Sequence, residues 1–204
     1  MADIVDHPEA YFRQLVPKRD DLLKVLEAEA EAEEIPIVGP VVGGLLLVLS
    51  RATRAQNILE LGTATGYSAI CLGRGCEPNG GRVLTLEYDG NLAKRAWKNI
   101  ARANLSETVS VLEADVFEML PELTGPYDFV FMDVEKKDYL AALGHLEAIV
   151  QPGGLLIADN TGFKDALTFN QAMFTSAAWQ SVQIFSYLPM HSGIYDGLCF
   201  AVRL

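Results

Sequence analysis

Two segment ends carry oxygen donors of the kind that hold a hard cation. Phe131-Met132-Asp133-Val134-Glu135-Lys136 and Ile157-Ala158-Asp159-Asn160 each close a short apolar run. If both runs are parallel strands, their ends share one sheet edge. Asp133, Asp159 and Asn160 then offer two carboxylates and an amide oxygen, without sulfur or imidazole, to a divalent cation: Mg²⁺ first, Mn²⁺ or Ca²⁺ next. Lys136 follows Asp133 by one helical turn, which carries its amine over the same opening. A nearby cation or apolar wall there would bring its pKa toward that of a general base. Each piece also has a plainer reading. Asp159-Asn160-Thr161-Gly162 is good turn chemistry, and Lys136, like Lys137, suits a solvated helix start. The pairing of Asp133 with Asp159-Asn160 favours the metal.

A second set of acids points to a nucleoside. Glu60-Leu61-Gly62-Thr63-Ala64-Thr65-Gly66-Tyr67-Ser68 follows an apolar run and opens a helical pattern, the place where an open α/β sheet binds ligands. Glu87 ends the next run, where a carboxylate can accept from both ribose hydroxyls, and Asp115 ends a third, beside an adenine. The glycines alone suit an ordinary strand-to-helix turn equally well; the acids tip the balance. A dinucleotide dehydrogenase is the alternative, but Ala64 stands where its fingerprint needs a second glycine, and no Tyr-x-x-x-Lys pair occurs. S-adenosylmethionine, with a sulfonium cation and no phosphate, suits an acidic pocket better.

The elements that must position these residues fall into two textures. Residues 8–53 carry helical pattern only, with Leu22, Val25 and Leu26 at helical spacing and Pro36 and Pro40 as punctuation. The run Val41–Leu49 reads as a buried helix, too short to span a bilayer. From Asn57 on, apolar runs alternate with amphipathic segments, the signature of a mostly parallel sheet. Strands are predicted at 58–61, 82–86, 109–112, 129–132 and 155–158, and a closing hairpin at 181–187 and 198–202. Helices are predicted from Tyr67, at 91–104 with Ala93, Ala96, Trp97, Ile100 and Ala103 as the apolar stripe, at 136–149 and at 167–174. The expectation is one α/β domain over 1–204, with a helical preface to residue 55 and a core from 56.

Bulk properties narrow the partners. The chain has 204 residues, half of them hydrophobic, and a formal charge of -11. Such a surface repels nucleic acid and leaves a small molecule as the expected substrate. Three cysteines without ligand spacing and no apolar leader read as a reduced, cytoplasmic protein, with no membrane partner. His191, in Met190-His191-Ser192-Gly193, falls in the loop expected near a substrate mouth.

Taken together these blocks resemble the metal-dependent family that contains catechol and caffeoyl-CoA O-methyltransferases and their bacterial relatives. Leu59-Glu60-Leu61-Gly62 with Gly66-Tyr67-Ser68 is similar to its cofactor block, Leu84-Thr85-Leu86-Glu87 to its ribose strand, Phe131-Met132-Asp133 with Lys136 and Tyr139 to its first metal segment, and Gly153-Gly154 with Asp159-Asn160 to its second. The resemblance implies a Rossmann-like sheet of seven strands, one antiparallel, with helices on both faces, and commonly a homodimer. It implies that Val38, Glu60, Gly62, Thr63, Ser68, Glu87, Asp115 and Glu135 contact S-adenosylmethionine, that Asp133, Asp159 and Asn160 hold the metal, and that Lys136 is the base. The acceptor would carry adjacent hydroxyls. A non-catalytic nucleoside-binding module on the same fold is the other alternative. The chain departs from the family at Glu135, usually a second Asp, in a shortened segment after Asn160, and at Gly193, where catechol enzymes carry a Glu. The last two departures imply an open, permissive acceptor pocket.

Overall fold

The computed structural model describes residues 3–191 and 193–204. Three helices come first: α1 (Pro8–Arg13), α2 (Asp21–Ala32) and α3 (Gly39–Ala52). The alternating part then runs β1 (Asn57–Leu61), α4 (Tyr67–Cys76), β2 (Arg82–Glu87), α5 (Gly90–Arg102), β3 (Val109–Glu113), α6 (Val116–Met119), β4 (Tyr127–Met132), α7 (Tyr139–Ile149), β5 (Val150–Ala158) and α8 (Leu167–Thr175). It closes with β6 (Trp179–Tyr187) and β7 (Tyr195–Arg203). The seven strands lie in the order β3-β2-β1-β4-β5-β7-β6, with β7 antiparallel to both neighbours. The order reverses between β1 and β4, so the carboxyl ends of β1, β2, β4 and β5 surround one crevice.

Side-chain alternation divides the core into two layers. Ile58, Phe129, Phe131 and Ile157 pack against α3, α4 and α5, while Leu59, Leu61, Val130, Met132, Leu156 and Ala158 pack against α7 and α8. Burial on both faces is why these strands read as continuous apolar runs.

Three local expectations need correction. The run Val41–Leu49 is helical, but α3 is buried on one side only: Val48 is 59% exposed, and its outer face borders an apolar groove with Ile184 and Phe200. Trp97 is 67% exposed and lies outside the buried stripe of α5. Asn99 takes the inward position instead, because its side-chain N–H donates to the Thr65 carbonyl at 3.0 Å. The segment 136–149 is not one helix; Lys136–Asp138 forms a 3-10 turn before α7 begins.

Candidate active site

The crevice opens into a cavity of 380 Å³. Its nucleoside end is built by the turn between β1 and α4. Gly62 has φ +95°, and a Cβ there would run into the carbonyl oxygen of Asp133, so only glycine lets the two strand ends approach. Ala64 also adopts the left-handed conformation, at φ 47°, and its N–H donates to Glu87 Oε2 at 2.7 Å. Glu87 Oε1 accepts from Asp89 N at 3.0 Å. Glu87 is therefore a latch between two loops as well as an acid on the cavity wall; each carboxylate oxygen keeps capacity for a further donor. Asp115 caps α6 through Oδ1, which accepts from Phe117 N and Glu118 N, and also faces the cavity.

Val38, Gly62, Thr63, Ser68, Glu87, Asp115 and Glu135 all line this cavity, as do Asp133, Lys136, Asp159 and Asn160. Glu60 does not. It lies beneath the wall, fully buried, pointing to the α4 side of the sheet. Thr85 donates to its Oε2 at 2.5 Å and, with its one proton so committed, accepts from the Thr63 hydroxyl at 2.5 Å, while Oε1 has no partner of proper geometry. Burial pushes its carboxyl up to about 8, against the opposing pull of the Ser68 and Thr85 hydroxyls and with help from the charges of Asp133 and Glu87.

At the other end, the 3-10 turn brings Lys136 Nζ to 3.1 Å from Asp133 Oδ1. Burial raises the Asp133 carboxyl, and the Asp159 charge raises it further, while Lys136 and His191 oppose the rise. Tyr139, from the first turn of α7, clamps the ends of β4 and β5 by donating to the Asp159 carbonyl at 2.9 Å. Asn160 sits at φ 51°, a conformation Asn tolerates better than most residues. The turn reading of Asp159-Asn160 is thus correct locally, and the turn is what aims the side chains into the cavity.

His191 and Asp196 complete the site, and sequence reasoning had given neither its contact. His191 Nε2 lies 2.9 Å and 3.1 Å from the two oxygens of Asp159, and both side chains are 1% exposed. Burial alone would lower the imidazole pKa; the hydrogen bond to Asp159 and the charges of Asp159, Asp196 and Asp133 outweigh it and raise the pKa. Asp196 accepts from the Asn160 side-chain amide at 2.7 Å. The only hints in the sequence were the position of His191 in a loop near the mouth and the Asp196-Gly197 pair itself.

The donor chemistry fits a hard divalent cation, with Asp133, Asp159 and Asn160 on one wall. Burial and the Asp159 charge beside it raise the Asp133 carboxyl, and this half-buried acid next to the buried Asp159 calls for a positive charge, here supplied by Lys136 and His191. Among the described residues no three His, Cys, Asp or Glu side chains converge as a ready-made metal cage, so the set is two carboxylates and an amide, with His191 closed over Asp159.

A parallel sheet with a strand-order reversal, a glycine turn after β1 and acids on successive strand ends defines an α/β enzyme of the class I S-adenosylmethionine-dependent fold. Residues 19–183 match the family model described as O-methyltransferase, and the chain belongs to that family. Over 162 residues it is 40% identical to a catechol O-methyltransferase of Niastella koreensis, covering 76% of this chain and 72% of that protein. Two solved structures share its fold: an O-methyltransferase from Bacillus cereus in complex with SAH, with TM-score 0.86, 28% identity and 97% of each chain covered, and TomG from Streptomyces achromogenes in complex with SAM, with TM-score 0.85, 26% identity and coverage of 96% and 95%. The dehydrogenase alternative falls with this membership.

Proposed function

We propose that the protein uses S-adenosylmethionine and a divalent cation to methylate one hydroxyl of a small phenolic acceptor with adjacent hydroxyls. The observation that carries the reading is the meeting, in one cavity, of Val38, Gly62, Thr63, Ser68, Glu87 and Asp115 with Asp133, Lys136, Asp159 and Asn160. The 40% identity to a protein named catechol O-methyltransferase supports the acceptor class.

In this reading Glu87 takes the ribose hydroxyls, Asp115 lies beside the adenine, and Gly62, Thr63 and Ser68 leave room for the amino-acid end, with Glu60 beneath them. Glu135, exposed at the rim, is a secondary contact. Asp133, Asp159 and Asn160 would hold Mg²⁺, or Mn²⁺ or Ca²⁺. When bound, the cation acidifies and orients the acceptor, and the cofactor supplies an electrophilic methyl on sulfur. Lys136 would leave Asp133 and take the proton of the attacking hydroxyl, while the packed strand ends hold the reactants in line. Gly193 and the short segment between Asn160 and α8 leave the acceptor's second oxygen with few contacts, so several vicinal phenols and both regioisomers are expected. The net charge favours neutral acceptors over CoA-linked ones.

Among the described residues no helix is long and apolar enough to cross a membrane. A cytoplasmic single-domain protein, with no membrane or nucleic-acid partner, fits the acidic composition. A homodimer fits the apolar groove along α3, and sedimentation at several concentrations tests it.

A second reading, a nucleoside-binding module without methyl transfer, draws on His191, which engages both oxygens of Asp159. Methylation of a catechol panel, with and without chelator, separates the two. Chelator-sensitive product formation supports the enzyme; cofactor binding without product supports the module. Full activity in chelator removes the metal.

A further inference from the structure

Asp196, at the start of β7, is 1% exposed, and its hydrogen bonds all run one way. Its Oδ1 accepts from Gly197 N at 2.6 Å and Gly162 N at 3.2 Å, and its Oδ2 accepts from Asn160 Nδ2 at 2.7 Å. Backbone N–H groups only donate, so Oδ1 is committed as an acceptor. A carboxylate has no proton to give at Oδ2 either. An asparagine amide is nearly symmetric in shape but opposite in function at its two ends, and only its oxygen can hold a hard cation. Something must decide which end faces the cavity.

We propose that Asp196 is a positioning residue that fixes the Asn160 amide, holding its nitrogen toward β7 and thereby turning its oxygen to the metal side of the cavity. This rests on the metal reading above. Asp196 reaches the site through Asn160 and through the turn it braces at Gly162. It also stands 3.8 Å from His191 Nδ1, so the same carboxylate contributes to the charge around the loop that covers Asp159.

The geometry dictates a reciprocal test. In D196N the new amide oxygen can keep the two backbone bonds, which turns its NH2 group toward residue 160. Asn160 must then flip to accept, and presents NH2 to the cavity. In N160D two carboxylates face each other. In the double variant N160D/D196N the amide donates to the carboxylate, whose second oxygen again faces the cavity, with the total charge of the wild type. Mn²⁺ binding is read by loss of the free-ion electron paramagnetic resonance signal, with calorimetric titration of S-adenosylhomocysteine and a thermal melt on each variant. D196N should lose about tenfold or more in Mn²⁺ affinity with cofactor-product affinity unchanged within about twofold, and the double variant should recover most of the loss. Wild-type affinity for Mn²⁺ in D196N, or a folded double variant no better than D196N, overturns the proposal. A wild type that binds S-adenosylhomocysteine but no Mn²⁺ overturns the metal reading itself, and the inference with it. Should the variants not fold, the wild type decides: with asparagine side chains labelled with ¹⁵N, the Asn160 NH2 protons should exchange slowly with or without Mg²⁺, and rapid exchange overturns the proposal.

Discussion

Replacing Glu60 with Gln should change how stability depends on pH. The carboxyl is fully buried on the α4 side of β1, and burial raises it from 4.5 to about 8. A raised folded-state pKa means that the native state binds a proton the unfolded chain has released. Its contribution is fully present below about pH 4.5 and is lost as pH rises through 8. The slope in that window is about 1.4 kcal/mol per pH unit, so roughly 3 kcal/mol is lost by pH 7 and about 5 kcal/mol by pH 9. Glutamine copies the protonated acid, with an oxygen to accept from Thr85 and no proton to lose. Urea melts of the cofactor-free wild type and E60Q from pH 5 to 9 give the difference directly, because every other group titrates in both. The variant should gain on the wild type steadily up to pH 8 and then level off. Parallel curves would refute the assignment of a buried, protonated Glu60. Titrating S-adenosylhomocysteine into the same samples shows whether this buried acid also matters to the cofactor.

Other substitutions test the walls of the cavity. Gly62→Ala should destabilise by about 2 kcal/mol or more, because it adds a left-handed backbone penalty to a collision with the Asp133 carbonyl; a chemical melt reads it. Glu87→Ala should weaken cofactor binding and also cost about 1–3 kcal/mol, since Ala64 N and Asp89 N lose their acceptor; equal titration affinity in the folded variant would count against the ribose role. Lys136→Met should lower turnover about 10²-fold or more while stability moves by no more than about 1 kcal/mol, as its bond to Asp133 is partly exposed; an unchanged chemical step in single-turnover kinetics would return Lys136 to a surface role. Asp159→Ala should abolish Mn²⁺ binding and leave cofactor binding nearly intact, measured by the two titrations described above.

The alternating apolar runs were enough to place the strands, because strands covered on both faces must be apolar throughout. The strand-end acids were legible for a related reason. Parallel strands joined by helices all end on one edge, so Glu87, Asp133 and Asp159 had to approach one another wherever the helices settled. Other features were decided by parity and register. Whether Glu60 faced the ligand or the core depended on which layer the even positions of β1 met, and Ile58 and Glu60 met α4. Trp97 lost its place in the core to Asn99 because a carbonyl of the β1–α4 turn needed a donor. The partnership of Asn160 with Asp196, 36 residues on, depends on the antiparallel register that sets Ala158 against Cys199 and so brings the start of β7 level with the turn after β5. That of Asp159 with His191 depends on the loop leading into β7 folding back over the strand ends. Local pattern records whether a segment pairs; it carries no account of the partner's phase, and only the packed sheet supplied it.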